Sequence, residues 1–232
     1  MPPPGPLEPP PTRWVFPELR EGGQAAGFPD DLIASGADLE PGTLLTAYRR
    51  GLFPMPGPDF AGDMLWWSPV RRGVLPVHGL RVSRSLRSSV RRMRIRVDTE
   101  FEAVIDACAD PSRDSGWIDD DIRAAYVRLH RMGWAHSVES WIGGRLVGGL
   151  YGVAIGGLFA GESMFHRVSD ASKVALVGLR NMLDDEHAQR RLVDVQWLTP
   201  HLASLGAVSM RREEYLRRLD EAVALPLPAG FG

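Results

Sequence analysis

Apolar positions along the chain change period several times, and each change predicts an element. Phe101, Val104, Ile105 and Cys108 recur at helical spacing, as do Ile122, Ala125, Tyr126 and Leu129. Thr99 and Glu102 have the spacing of a capping box for the first of these helices. Asp119–Asp121 place favourable charge at the start of the second, and Gly133 ends it. From residue 136 the period falls to two: HSVESWI, RLVGGLYGVAI and LFAGESMF, separated by Gly-Gly pairs, predict three antiparallel strands joined by tight turns. SDASKVALVGLRNML returns to helical spacing, with Ser169 or Asp170 as its cap. LVDVQW predicts another strand, and Thr199 followed by Pro200 opens a short helix closed by Gly206. Upstream, residues 40–50 predict a helix that begins near Pro41 and stops at Gly51. Ser83 can cap a short helix over 84–92, with Leu86 and Val90 on its apolar stripe. Residues 52–69, rich in Pro, Gly and aromatics, read as a loop at a domain junction or pocket rim. Strands interleaved with helices after a helical first half give an α+β architecture with a mixed sheet.

At 232 residues the chain can build one sizeable core with a small companion. Residues 1–17 hold eight prolines and read as an extended, mobile leader. No apolar run reaches the ~18 residues of a spanning helix. The start lacks the layout of a secretory signal, and the lone Cys108 forbids an internal disulfide. A cytoplasmic protein with no membrane contact is expected. The position of Cys108 on a helical apolar face marks it as a core residue and not a nucleophile.

Charge sharpens this picture. The formal net charge is only −2, yet nine arginines and no Asp or Glu lie between Arg71 and Arg96, which leaves about −11 for the rest. With 26 arginines and one lysine, Lys173, arginine is the default cation here, so the clustering is what carries information. It points to a local anion-binding patch. In the predicted helix over 84–92, Arg84, Arg87 and Arg91 form one stripe.

Strand alternation singles out three polar residues. Glu162 shares a face with Leu158, Ala160 and Met164, and Asp194 and Gln196 share a face with Leu192. Both segments are otherwise apolar, and a buried carboxylate without a partner costs several kcal/mol. Either these groups accept hydrogen bonds for structural reasons or they serve chemistry. Other constellations fail: Phe165 stands where a nucleophile elbow needs glycine, no His/Cys/Asp cluster has metal spacing, and no glycine-rich phosphate loop is present.

Taken together, GADLEPGTLLTAYRRGLFP, LWWSP, SRSLR, AYVRLHRMGWAHSVESW, LVGGLYGV, GESMF, ASKVAL, LVDVQ and HLASLGA resemble the leucyl/phenylalanyl-tRNA–protein transferase family over residues 28–219. The resemblance implies transfer of Leu or Phe, and less readily Met, from aminoacyl-tRNA to proteins beginning with Arg or Lys, which marks them for degradation. It implies a small N-terminal domain and an acetyltransferase-like (GNAT-like) catalytic domain; with the proline-rich leader taken as 1–20, these fall at 21–70 and 71–232. Carried over by motif, the catalytic positions fall on Asp194, Gln196 and Glu162. Substrate-pocket positions fall on Trp117, Tyr126, Leu150, Met164 and Leu176, and tRNA-binding positions on Arg84, Arg87 and Arg91. Two departures stand out: Met55 where the family usually has tryptophan, and an unusual stretch over 55–65. An aminoacyl ester is already activated, so no cofactor or metal is demanded, and a monomer is expected. The rival readings are a coenzyme A-dependent N-acetyltransferase, which the sheet pattern would suit, and a non-catalytic RNA-binding protein.

Overall fold

The computed structural model describes residues 5–19, 30–57, 63–111 and 116–231. The expected boundary at residue 20 and the centre of the 55–65 stretch lie outside them. Two sheets organise the chain. The smaller is antiparallel, in the order β1–β3–β2, from Leu32–Ser35 (β1), Phe53–Pro54 (β2) and Leu65–Trp67 (β3). It packs with helix α1, Pro41–Arg49, which has Pro41 at its first position as expected. The segment read as a loop over 52–69 therefore supplies two short strands.

The larger sheet contains Arg71–Val74 (β4), Arg94–Val97 (β5), Ala135–Ile142 (β6), Arg145–Ile155 (β7), Leu158–His166 (β8), Leu192–Asp194 (β9) and Val208–Arg211 (β10). Their order is β10–β4–β9–β8–β7–β6–β5, antiparallel throughout except for the β8–β9 pair. The strands β6, β7 and β8 form the expected meander. The helices are Arg84–Arg92 (α2), Phe101–Cys108 (α3), Asp120–Arg131 (α4), Ala171–Leu183 (α5), Pro200–Leu205 (α6) and Arg212–Val223 (α7). One sheet face buries Val104, Ile105, Tyr126 and Tyr151 together with Tyr215 of α7. The other buries Val138, Leu150 and Phe159 under Ala175 and Leu179 of α5. This mixed sheet with flanking helices is the acetyltransferase-like α+β architecture.

Local capping follows the sequence in part. Ser83, Asp119 and Thr199 accept from the backbone N–H of Leu86, Ile122 and Leu202 at 3.1, 2.8 and 3.2 Å. The capping box at Thr99 is replaced by a tertiary contact. The fully buried carboxylate of Glu139 accepts from the N–H groups of Thr99 and Glu100 at 2.8 and 2.7 Å, and from the hydroxyls of Thr99 and Ser137. A buried anion beside free helix-start donors satisfies both. Asp170 precedes α5 in a left-handed conformation and turns its carboxylate to Ser89 and Lys173 instead of capping the helix.

Residues 5–19, expected to be mobile, carry no helix or strand but are held to the body. The Leu7 N–H donates to the Met132 carbonyl, and Trp134 Nε1 donates to the Leu7 carbonyl, both at 2.8 Å. Phe16 is buried edge-on against Trp66. The Pro10 carbonyl lies 2.1 Å from where a Cβ on Gly42 would sit, a passage only glycine leaves open. Proline lowers the entropy cost of such an extended tether.

Gly206 closes α6 with φ +108°, and a Cβ there would lie 2.0 Å from the Gly79 carbonyl oxygen. Gly206→Ala is expected to cost at least about 1–3 kcal/mol. A lowered urea midpoint with an unchanged slope is the result to look for.

Candidate active site

The two strands of the parallel pair stay together for only three residues, from Leu158–Leu192 to Ala160–Asp194. On β8 the register then slips, pairing Gly161 with Gly152 and Ser163 with Tyr151, so Glu162 is the extra residue of a bulge. On the other side β9 ends at Asp194, and Gln196 takes a left-handed backbone with φ +55°. Bulges re-aim side chains and end pairing. Here the strands part, and a cavity of about 430 Å³ opens between them. Gly161–Met164 form one wall and Val195–Trp197 the other, over a floor of Leu150, Phe159 and Leu176. Phe53, Pro54 and Met55 of the small sheet close one side.

Both expected alternations are therefore corrected. Leu158 and Ala160 face one core and Met164 the opposite one, because the bulge interrupts the period at Glu162. Gln196 does not continue the face of Leu192 and Asp194, because the chain has already left the strand. It reaches the cavity through its left-handed turn.

Glu162 lies half-buried on the apolar wall. Its Oε2 accepts from the Tyr126 hydroxyl at 3.0 Å, and Tyr126 shares a short hydrogen bond with the Tyr48 hydroxyl. Gln196 Nε2 donates to Oε1 at 3.4 Å. Burial pushes the Glu162 carboxyl up to about 7, against the opposing pull of the two tyrosine hydroxyls. The same burial, with the Glu162 charge beside them, holds both tyrosines well above the usual phenol range.

Asp194 is fully buried and does not line the cavity. Its Oδ1 and Oδ2 accept from Nε and Nη2 of Arg72 at 2.8 and 2.5 Å, a two-pronged ion pair. The Tyr215 hydroxyl donates to Oδ2 at 2.8 Å, and the Gln196 N–H donates to Oδ1 at 2.9 Å. The Arg72 guanidinium lies between the rings of Phe53 and Tyr215, 4.7 and 4.5 Å from their centroids, and Nη1 reaches the Gly51 carbonyl at 3.0 Å. Burial opposes the charge on Arg72, but Asp194 more than restores it and holds the guanidinium firmly protonated. The expectation that Asp194 itself faces the cleft is thus corrected: both its oxygens are occupied, and its link to the cavity is the Gln196 backbone.

Of the other expected residues, Trp117, Leu150, Met164 and Leu176 line the cavity, while Tyr126 lies behind Glu162 as its hydrogen-bond donor. Arg84, Arg87 and Arg91 are exposed on α2, and none has a carboxylate partner among the described residues. Helix α5 links the two regions: Val174 and Val177 pack with Leu86 of α2, while Leu176 and Leu179 face the cavity. Sequence reasoning missed Arg72, Tyr215 and Tyr48. Arg72 was counted within the cationic run, although the need of a buried Asp194 for a countercharge was a signal for it. Among the described residues no group of His, Cys, Asp or Glu is arranged to hold a metal ion.

An apolar cleft thus opens where the parallel pair of an acetyltransferase-like sheet splays, with Glu162 and Gln196 in its facing walls. Residues 74–220 match the family described as leucyl/phenylalanyl-tRNA protein transferase, and residues 37–70 match that family's N-terminal domain. Proteins named leucyl/phenylalanyl-tRNA–protein transferase are similar over most of their length. The one from Nitratidesulfovibrio vulgaris (strain DP4) is 48% identical over 222 residues, 93% of this chain and 91% of its own. That from Aromatoleum aromaticum is 54% identical over 200 residues, 83% and 81% of the two chains. That from Azoarcus sp. (strain BH72) is 50% identical over 222 residues, 94% and 92%. The chain belongs to the leucyl/phenylalanyl-tRNA–protein transferase family and is an aminoacyltransferase.

Proposed function

We propose that this chain transfers Leu or Phe, and less readily Met, from aminoacyl-tRNA to the α-amino group of proteins that begin with Arg or Lys. It works in the cytoplasm as a monomer, without a cofactor, and the transfer marks its acceptors for degradation. The observation that carries this reading is the apolar cavity with Gln196 and Glu162 in its facing walls. Leu150, Met164 and Leu176 take the aminoacyl side chain. An apolar pocket separates substrates by only ~1–3 kcal/mol per methylene, so tolerance of three side chains is natural.

The amine nitrogen attacks the ester carbonyl carbon, and the bond from that carbon to the ribose oxygen breaks. The proton lost by the amine ends on that ribose oxygen, relayed by the neighbouring ribose hydroxyl. Gln196 has its Nε2 committed to Glu162, which leaves its carbonyl oxygen to accept from the incoming amine. Orientation of two bound substrates can supply ~7–11 kcal/mol. A peptide α-amino group has a pKa of ~7.7–8.0, so a useful fraction attacks unaided by a strong base. Glu162 supplies negative charge for a cationic first residue. Asp194 acts behind the site, holding the turn that aims Gln196.

The exposed stripe Arg84, Arg87 and Arg91 grips RNA phosphates. Replacing all three with glutamine is expected to weaken binding of every charged tRNA and to flatten its salt dependence by about 2–3 in slope. The coenzyme A reading is disfavoured by the start of α5, the helix that follows β8, which opens with Ser169-Asp170-Ala171-Ser172-Lys173 and not with the glycine-rich turn that cradles a pyrophosphate. The deciding experiment follows labelled Leu, Phe or Met from charged tRNA to peptides that differ only in their first residue. Transfer confined to Arg and Lys peptides is expected, and no transfer from any charged tRNA would refute the reading.

A further inference from the structure

Strand β5 is the outer strand of the large sheet and pairs only with β6. Its alternate residues Ile95 and Val97 pack toward α5, with Ile95 against Gly178. Arg94 and Arg96 therefore project from the opposite face, and both are exposed. Arg145, the first residue of β7 and paired with Ile142 across the β6–β7 turn, is exposed as well. Among the described residues none of these three has a carboxylate within ion-pair range. Exposed Arg128 and Arg218 do, with Glu40 and Glu214, whereas Arg71, Arg81, Arg167 and Arg190 are exposed without one, so clustering on one edge is what sets this group apart.

Arg96 is also positioned. Its guanidinium lies 4.8 Å from the centroid of the Trp141 ring. That ring is fixed in turn, because Trp141 Nε1 donates at 2.9 Å to the buried carboxylate of Glu139. A guanidinium laid on an aromatic face keeps its N–H donors in the outward plane, the arrangement that grips a phosphate with two parallel bonds. Charged residues on an edge strand commonly serve to block edge-to-edge pairing. That duty needs no locked aromatic support. Chain continuity matters as well: Arg91 and Arg92 end α2, and Arg94 follows two residues later. Helix α2 lies on the α5 side of the sheet and the β5 arginines on the other, so the cationic band wraps the sheet edge.

We propose that the edge at β5 is a second phosphate-contact surface for the RNA held by α2, with Arg94, Arg96 and Arg145 as its cations and Trp141 as the support that orients Arg96. The inference rests on the reading that charged tRNA is the donor. Arg96→Lys keeps the charge and removes the forked geometry, whereas Arg96→Gln removes both.

The test measures Kd of charged tRNA against salt concentration for the wild type, Arg96→Gln, Arg96→Lys and the triple variant Arg94→Gln/Arg96→Gln/Arg145→Gln. Thermal midpoints confirm that each is folded. The triple variant is expected to weaken binding at least tenfold at low salt and to flatten the log–log slope by about 2–3, with the loss of transfer appearing in KM for charged tRNA. Arg96→Lys is expected to keep the wild-type salt slope but to bind several-fold more weakly than the wild type at every salt concentration, between it and Arg96→Gln. An unchanged slope and Kd in the triple variant would overturn the proposal and leave these arginines as guards of an open edge. A lysine variant that binds like wild type would overturn the oriented contact. Either result in an enzyme that still transfers Leu to Arg-peptides sinks this inference alone, whereas a wild type that transfers nothing sinks the functional reading.

Discussion

Arg72→Met is expected to destabilise the protein by about 3–5 kcal/mol, because it strands the Asp194 carboxylate in the interior with no countercharge. The methionine roughly fills the volume between Phe53 and Tyr215, so the loss is electrostatic more than steric. Equilibrium urea unfolding measures it directly. The informative companion is Arg72→Met with Asp194→Leu, since removing both members of a buried pair is often close to neutral. The double variant should recover most of the stability. It should not recover activity: the Gln196 N–H loses its acceptor, and the left-handed turn that carries Gln196 into the cavity loses its anchor. Misplacement by about 1 Å can cost roughly 100-fold in rate, and kcat of the folded double variant should fall on that order. A stable double variant with wild-type kcat would show that Arg72 and Asp194 serve the fold alone.

Glu162→Gln should give the second large effect. Burial on the apolar wall pushes the Glu162 carboxyl up to about 7, so in the wild type the carboxylate forms as pH rises through that value. Transfer to a peptide with an N-terminal Arg should therefore rise through pH 7, with a second limb near 8 from the peptide's own amine. In Glu162→Gln the lower limb should vanish and kcat/KM for cationic acceptors should drop about 100-fold. Stability should move in the opposite sense. A carboxyl with a raised folded-state pKa holds its proton more tightly folded than unfolded. Its stabilising contribution is complete below the ordinary carboxyl range and is lost as pH climbs through about 7. Wild type should accordingly lose stability relative to Glu162→Gln over that window. Parallel pH profiles for the two proteins would exclude Glu162 from both roles.

These two sites also mark how far sequence could be read. Asp194, Gln196 and Glu162 stand out as polar residues in apolar strands, and all three belong to one connected arrangement around the cavity. Their orientation did not follow from alternation. A one-residue bulge at Glu162 and a left-handed turn at Gln196 each break a period of two, and neither leaves a mark in residue type. Arg72 was visible only as one more member of a cationic run. What distinguishes it is a partner 122 positions away, and no local pattern carries that information. Tyr48 reaches Tyr126 across 78 positions for the same reason. Strands β4 and β5 did not stand out because each has only four residues: Arg71 and Arg72 are adjacent in β4, and the alternation of β5 is too short to separate from the cationic run.

From its sequence alone this protein is assigned helices α1 to α6 closely, the β6–β7–β8 meander, a cationic α2, and the polar residues that chemistry would use. Those features depend on period, caps and composition, which are properties of neighbours in the chain. Tertiary structure decided which carboxylate faces the cavity and which is locked behind it. It also joined the small sheet to the cavity wall and tied down the proline-rich leader. Such outcomes depend on contacts between distant segments, where the cost of burying a charge is balanced by a partner that the local sequence does not name.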